Sequence, residues 1–356
     1  MRVSIIAHGL SDGGAERVAS IVANYLSKED KVQFIAVYNN EKVYKLQEKV
    51  EYRYVNVEKQ KSKKRKFVDR CLIIKKYIKD FRPDIIISFI YKETLLLNKT
   101  NIIYTLRIDP KASENNFIEK NMRKIFYEKS RGVIFQTVDA MNYFSKKIKN
   151  KSAVIYNPIE VNKLPKWEEK EHNKSIITAC RLSRQKNIPM LIEAFEQIKS
   201  EYDDFIVEIY GDGPEKNNIQ NLINQKNLNN KIFLRGYSND IHNKMATSSL
   251  FVLTSDYEGL SNSMLEALCI GIPVICTDCP PGGAKAFIEN GKNGFLINVK
   301  DKDDLAIKMD MVLNNKEIIY KFNIENRKYR NRLKEEKICE EWKKFINCSN
   351  KRRKNV

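Results

Sequence analysis

The chain has 356 residues, 42% hydrophobic and 31% charged, which suits two α/β domains of ordinary size better than one small core. No apolar run approaches the ~18 residues of a membrane-spanning helix, so a soluble protein is expected. Its 64 Lys and Arg against 45 Asp and Glu give a formal net charge of +19, and such an excess points to an anionic partner: nucleic acid, acidic lipid or phosphorylated small molecules.

The opening "MRVSIIAHGL" passes from one arginine into a short apolar run without a cleavage site, and reads as a first strand rather than a signal peptide. A cytoplasmic location is expected. Apolar β-branched runs then alternate with segments of helical period, the pattern of parallel α/β layers. Strands are predicted at 3–7, 32–37, 84–89, 102–106, 132–136, 153–156, 175–180, 205–210, 231–235, 250–254 and 273–277. The first helix, from Ala15, repeats Val18, Ala19, Val22, Tyr25 and Leu26 on one face, a core stripe.

The segment 58–80 is densely basic. Lys59, Lys61, Lys63, Lys64, Arg65 and Lys66 precede Phe67, Cys71, Ile74 and Ile78 at helical spacing. Such an amphipathic element either rests on an anionic membrane surface or is a solvated loop followed by a packed helix. Residues 161–174, charged and aperiodic after Pro158, read as a linker. The predicted organisation is therefore 1–160 as one doubly wound Rossmann-like domain and 175–330 as a second. The two are expected to face each other across a cleft, with 331–356 a helix and basic tail packing back toward the first.

The seven cysteines, at 71, 180, 269, 276, 279, 339 and 348, fit reduced thiols. Cys276 and Cys279 form a lone C-x-x-C without the further ligands zinc requires, and read as small residues closing a strand. His8, His172 and His242 show no metal-ligand spacing. Asp301 and Asp303 form a D-x-D before a helix, where acids favour the dipole, and capping is the reading preferred over a metal site. No metal and no cofactor are expected.

In open α/β sheets ligands bind beyond the carboxyl ends of the strands. After the first strand, Gly13 and Gly14 allow close backbone approach and precede a helix whose N–H groups aim at whatever lies there. After 175–180, Arg181 and Lys186 can clamp a diphosphate, with Asn187 as N-cap and Pro189 in the first helical turn. After 250–254, Glu258 lies beside Gly259, either as a solvated loop carboxylate or as a catalytic one. Glu266 falls inside the next helix, and Ser263-Met264-Leu265-Glu266 has the S-x-x-E form of a capping box.

The ordered set "GGAER" (13–17), "RLSRQKN" (181–187), "GDGPEK" (211–216), "EGLSNSMLEAL" (258–268) and "DCPPGG" (278–283) resembles the retaining GT-B glycosyltransferases of glycosyltransferase family 4. The similarity spans nearly the whole chain and is most specific over 176–300. The "DCPPGG" form looks like the branch that builds bacterial surface polysaccharides and lipid-linked glycans from UDP-sugars.

The resemblance implies that Arg181 and Lys186 hold the donor diphosphate and Glu266 meets the nucleotide ribose. Glu258 is implied to contact the donor sugar. Backbone amides around Leu260, Ser261, Asn262 and Ser263, with Gly259, would support the phosphates, and Gly14 would cover them. Arg235, Gly236 and Tyr237 match the stretch lining the base pocket. His8, Gly13, Arg107 and Asp109 fall on the acceptor side, where "YTLRIDP" carries Arg107 and Asp109 in place of a usual histidine, and Leu260 and Ser261 replace a usual aromatic and proline. The implied activity is metal-independent transfer of a sugar, a UDP-hexose or UDP-N-acetylhexosamine the expected donor, to a lipid-linked or polysaccharide acceptor. The alternatives are a phosphorylase or nucleotide-sugar epimerase on the same fold, or a basic membrane- or nucleic-acid-binding module. No interleaved aromatic and basic motif supports nucleic acid.

Overall fold

The computed structural model describes residues 1–354 except 12, 42, 59, 114, 115 and 169–171, with side chains as far as 350. Lys59 of the basic stretch and positions 169–171 of the expected linker thus lie outside the described residues. The chain divides into two compact units, residues 1–158 with 335–356, and residues 159–334.

The first unit carries β1 (Arg2–Ala7), α1 (Gly14–Leu26), β2 (Lys31–Ala36), β3 (Val50–Tyr54), α2 (Lys63–Phe81), β4 (Ile85–Ser88), β5 (Ile102–Leu106), α3 (Phe117–Lys129), β6 (Gly132–Phe135), α4 (Val138–Asn142), α5 (Lys146–Lys149) and β7 (Ser152–Val154). Its seven strands are parallel in the order β3-β2-β1-β4-β5-β6-β7. Alternation along each strand sorts side chains onto two faces. Val3, Ile5, Ile85, Ile87, Ile103 and Ile134 pack under α1 and the C-terminal helix Glu335–Lys354, which contributes Ile338, Trp342 and Ile346. Ile6, Ile86, Ile102, Tyr104, Val133 and Phe135 pack under α2, α3 and α5 through Ile74, Phe126, Tyr127 and Ile148.

The second unit carries β8 (Asn173–Ala179), α6 (Ile188–Ile198), β9 (Ile206–Tyr210), α7 (Lys216–Gln225), β10 (Ile232–Gly236), α8 (Ile241–Thr247), β11 (Ser248–Leu253), α9 (Asn262–Ile270), β12 (Val274–Thr277), β13 (Phe295–Ile297), α10 (Lys302–Leu313), α11 (Lys316–Arg327) and α12 (Tyr329–Arg332). Its parallel order is β10-β9-β8-β11-β12-β13. Both units are thus doubly wound, as expected. The order reverses between β1 and β4 in the first and between β8 and β11 in the second, and such a switch point leaves a crevice at the carboxyl ends of the strands.

Two strands escape the sequence reading, β3 and β13. Both are edge strands: β3 alternates exposed Glu51 and Arg53 with partly buried tyrosines, and β13 is three residues long. Neither shows the apolar run of a central parallel strand. Asp301 caps α10 by accepting from the Asp304 N–H at 3.0 Å, and Asp303 accepts from Gln197 at 2.7 Å, so the D-x-D has a structural task. All seven cysteines are free. Among the described residues no helix is long and apolar enough to cross a membrane.

Arg330 ties the entry of the second unit to α9. Its guanidinium donates to the carbonyls of Val161, Leu164, Pro165 and Cys269 at 2.6–3.1 Å, while Trp167 Nε1 donates to Ser248 O at 3.1 Å. Hydrogen bonds from a charged donor are worth about 1.5–3 kcal/mol each, and the planar fork serves several acceptors at once. Arg330→Ala is expected to lower stability by roughly 3 kcal/mol, read as a shifted urea midpoint, with Arg330→Lys recovering only part.

Candidate active site

The site is built at the switch point of the second unit, where the loops after β8, β11 and β12 are sewn together. Asp256 N–H donates to Gln185 O at 2.8 Å and Gln185 Nε2 returns to Tyr257 O at 2.7 Å. Thr254 Oγ1 donates to Lys186 O at 2.9 Å, and Asn187 Nδ2 to Asp256 Oδ1 at 2.9 Å. Asn187 flanks α6 as predicted but caps nothing with its side chain: it sits at φ 43°, ending the turn Arg184–Lys186, and its amide serves the neighbouring loop. That turn swings the Lys186 side chain back toward β11.

There Lys186 Nζ donates to Glu258 Oε2, with only 12% and 20% of the two side chains exposed. Ser255 Oγ also reaches Glu258 Oε2 at 3.4 Å, and the Glu258 N–H donates to Pro280 O at 2.9 Å. Burial alone would lower the Lys186 pKa, but the Glu258 carboxylate, by its charge and hydrogen bond, outweighs it and leaves the pKa raised. Glu258 therefore has a structural task that its sequence context did not reveal. Of the two cations expected to clamp a diphosphate, Lys186 is held by Glu258, and Arg181 stands exposed just after β8.

Thiols line this pair. Burial pushes Cys180 and Cys279 up to about 11 and Cys276 well above its ordinary value, so all three are neutral near pH 7. The C-x-x-C is buried lining, and no group of three or more metal-ligating side chains occurs among the described residues. Two glycines let the loops close. A Cβ on Gly283 would lie 1.9 Å from Gly259 O, and one on Gly211, which has φ 121°, would lie 1.9 Å from Cys180 O.

The helix after Glu258 corrects the capping-box reading. α9 begins at Asn262 with Ser261 as N-cap, its Oγ accepting from the Met264 N–H at 3.4 Å and lying 3.0 Å from Ser263 Oγ. Ser263 is the second residue inside α9 rather than its cap, so Ser263 and Glu266 do not form the N-terminal box of this helix. Glu266 is buried, with Oε2 3.3 Å from His242 Nε2 of α8. His242 was missed because it lies 24 residues away with no spacing signal; only the packing of α8 on α9 joins them. Gly259, Leu260 and Ser261 are buried and Asn262 and Ser263 half-buried at this helix start. Beyond β9, Arg235 donates to Glu208 at 2.8 Å and lies over Phe233, Gly236 has φ 71° with open space around it, and Tyr237 is exposed. Arg184 turns outward to Glu215 at 3.4 Å.

In the first unit the residues assigned to the acceptor side have local partners. His8 follows β1, stacks on Tyr38 at 4.6 Å and has Nδ1 4.0 Å from Glu16 Oε1. Gly13 occupies the N-cap position of α1, and the Glu16 carboxylate folds beside it, so this helix start, beginning at Gly14, meets the chain's own anion rather than standing open as expected. Asp109 is buried and accepts from the N–H groups of Lys111 and Ala112 at 3.3 and 3.2 Å, capping its own turn. Arg107 points inward: it donates to Thr105 Oγ1 at 2.8 Å and Asn157 Oδ1 at 2.9 Å and lies over the Trp342 ring, and burial lowers its pKa.

Residues 161–337 match the family described as Glycosyl transferases group 1. It is 26% identical over 94% of its length to an uncharacterized glycosyltransferase of Haemophilus influenzae, of which it covers 97%. It is 25% identical to the N-acetylgalactosamine-N,N'-diacetylbacillosaminyl-diphospho-undecaprenol 4-alpha-N-acetylgalactosaminyltransferase of Campylobacter jejuni, over 85% of this chain and 88% of that protein. A solved structure of a mutant S. aureus TarM, in complex with fondaparinux, alpha-GlcNAc-glycerol and UDP, shares the fold with a TM-score of 0.80 at 18% identity, covering 97% of this chain and 99% of that one. The fold and the family match over 161–337 together mark a glycosyltransferase with the GT-B fold.

Removing either partner of a largely buried ion pair leaves the other uncompensated, at a cost of roughly 3 kcal/mol. Lys186→Met and Glu258→Gln are each expected to destabilise by about that much in urea titrations, and the double substitution by less than the sum. Because the folded-state pKa of Lys186 is raised above its ordinary 10.5, its contribution is complete below pH 10.5 and is lost as pH climbs through the raised value. The loss should vanish from the pH profile of Lys186→Met.

Proposed function

We propose that the chain transfers a sugar, a hexose or N-acetylhexosamine, from a UDP donor to a lipid-linked or polysaccharide acceptor in bacterial surface-glycan synthesis (capsule, exopolysaccharide or O-antigen). Transfer proceeds with retention of anomeric configuration, in the manner of family 4, and without metal. The observation that carries this reading is the Lys186–Glu258 pair at the switch point, beside the exposed guanidinium of Arg181 and the start of α9. It is supported by the acceptor named for the Campylobacter relative and the UDP in the TarM complex.

In this reading the donor diphosphate lies against Arg181, Lys186 and the α9 start from Gly259 to Ser263. Glu266, oriented by His242, meets the ribose, and the base lies toward Gly236 and Tyr237. The bond from the anomeric carbon to the diphosphate oxygen breaks as the acceptor hydroxyl attacks the same face, and the hydroxyl proton passes to the departing phosphate. Negative charge grows on the leaving group and positive charge on the sugar. Lys186 and Arg181 stabilise the first, and the Glu258 carboxylate, already fixed beside Lys186, is placed to stabilise the second. Gly14, His8, Gly13, Arg107 and Asp109 act by shaping the first unit, on which the acceptor is received.

The enzyme is placed at the cytoplasmic membrane face through segment 59–80. Lys61 is neutralised by Asp69 at 3.0 Å, but one outward stripe of α2 presents Lys64, Arg65, Val68, Leu72, Lys75, Lys76 and Lys79. Cations ringing apolar side chains suit an anionic bilayer surface.

A screen of UDP- and GDP-sugars, with and without an undecaprenyl-diphosphate-linked acceptor and in the presence of EDTA, tests the reading. UDP release should require the acceptor and survive EDTA, and the product should keep the donor's anomeric configuration by NMR. Arg181→Ala, exposed and structurally undemanding, should lower turnover about 100-fold with an unchanged melting temperature. Acceptor-independent conversion of the donor sugar would instead identify an epimerase, and phosphate-dependent release a phosphorylase.

A further inference from the structure

Phe117 and Ile118, at the start of α3, are 78% and 75% exposed. They stand side by side where a soluble surface would carry polar residues. The helix start is firmly built: Asn116 caps it by accepting from the Glu119 N–H at 2.9 Å, and Lys92 grips the Glu119 carboxylate at 2.6 Å. That ion pair joins α3 to the turn Lys92–Thr94, which is followed by exposed Leu95 and Leu96. Lys99 holds this loop by donating to the carbonyls of Thr94, Leu95 and Leu97 at 2.7–2.8 Å. The leucines are thus displayed by a braced turn. On its other side the turn packs against α2, where Cys71 meets the Leu95 backbone. Apolar side chains therefore project from three neighbouring elements, Val68 and Leu72, Leu95 and Leu96, and Phe117 and Ile118, among exposed Lys64, Lys75, Lys76, Lys111, Lys120 and Lys124.

We propose that Phe117 and Ile118, with Leu95 and Leu96, form a wedge that inserts into an anionic lipid bilayer, a second attachment beside the electrostatic stripe of α2. The apolar side chains stand among exposed lysines rather than in a continuous apolar face, a pattern that matches acidic headgroups around an apolar bilayer interior. They suit the boundary between headgroups and acyl chains, where one aromatic and one aliphatic side chain gain by leaving water and surrounding lysines reach back to acidic headgroups. The α2 stripe supplies attraction that salt screens; the wedge supplies apolar burial that salt does not weaken.

The inference rests on the membrane placement proposed above, and the full chain tests both. The two native tryptophans, Trp167 and Trp342, are buried, so Phe117→Trp introduces a reporter that can be read by difference from the parent. With vesicles of phosphatidylglycerol and phosphatidylcholine its emission should shift to the blue and be quenched by brominated acyl chains. Phe117→Ser with Ile118→Ser should lower vesicle partitioning about tenfold at unchanged melting temperature and unchanged salt slope. If the parent floats with acidic vesicles but the reporter is neither shifted nor quenched and the double serine variant floats equally well, the wedge is overturned and the α2 attachment stands. If neutralising the α2 lysines leaves insertion intact, the wedge stands without α2. If the parent binds no acidic vesicle, both fall. A reporter that shifts with protein concentration alone would assign the face to contact between copies and overturn the proposal.

Discussion

The structure of the second unit turns on one buried ion pair, Lys186 with Glu258. A lysine drawn this far out of water is costly unless a carboxylate meets it, and the carboxylate is equally costly alone. Each therefore requires the other, and the pair requires that the loops after β8 and β11 lie together. Those loops touch because β8 and β11 are neighbours, and they are neighbours because the winding reverses between them. The hydrogen bonds through Gln185, Asn187, Thr254 and Asp256 then hold the pair in register. Opposite charges and a helix start are thus organised in the chain itself, before any ligand is considered.

The same economy runs through the other ionisable groups. Many of the lysines are matched locally: Lys61 with Asp69, Lys92 with Glu119, Lys226 with Glu196 and Lys302 with Glu193. What distinguishes α2 is the stripe of cations on its outward face, and what distinguishes the end of β8 is the exposed Arg181. In the first unit the charges after β1 and β5 turn inward instead. Glu16 returns to its own helix start, Asp109 to its own turn, and Arg107 to Thr105 and Asn157.

Most of the fold was legible in the sequence because parallel central strands must be apolar on both faces and their helices on one, which writes two periodicities into the chain. The two missed strands lie at sheet edges, where half of each strand faces outward and the apolar signal fades. The ordered motifs and the position of each loop after a strand marked the loops that the second unit brings together at its switch point. Partner choice within it was not legible: Lys186 and Glu258 are 72 residues apart, and Glu266 and His242 are 24 apart. The S-x-x-E spacing at Ser263 even suggested a competing local partner for Glu266, which α9 excludes by starting at Asn262 under a Ser261 cap.

By itself, then, the sequence determined what short-range chemistry determines: which segments are strands and helices, where glycines permit a close approach, and which loops carry cations and carboxylates. Only the tertiary structure decided which charges meet, because that depends on strand order and loop geometry rather than on spacing. It joined Glu258 to Lys186 and Glu266 to His242, and turned Arg107 inward. It also left Phe117 and Ile118 exposed, since α3 spends its inward face on Phe126 and Tyr127 against the sheet. A side chain's exposure is set by what packs against it, and that is a property of the folded chain.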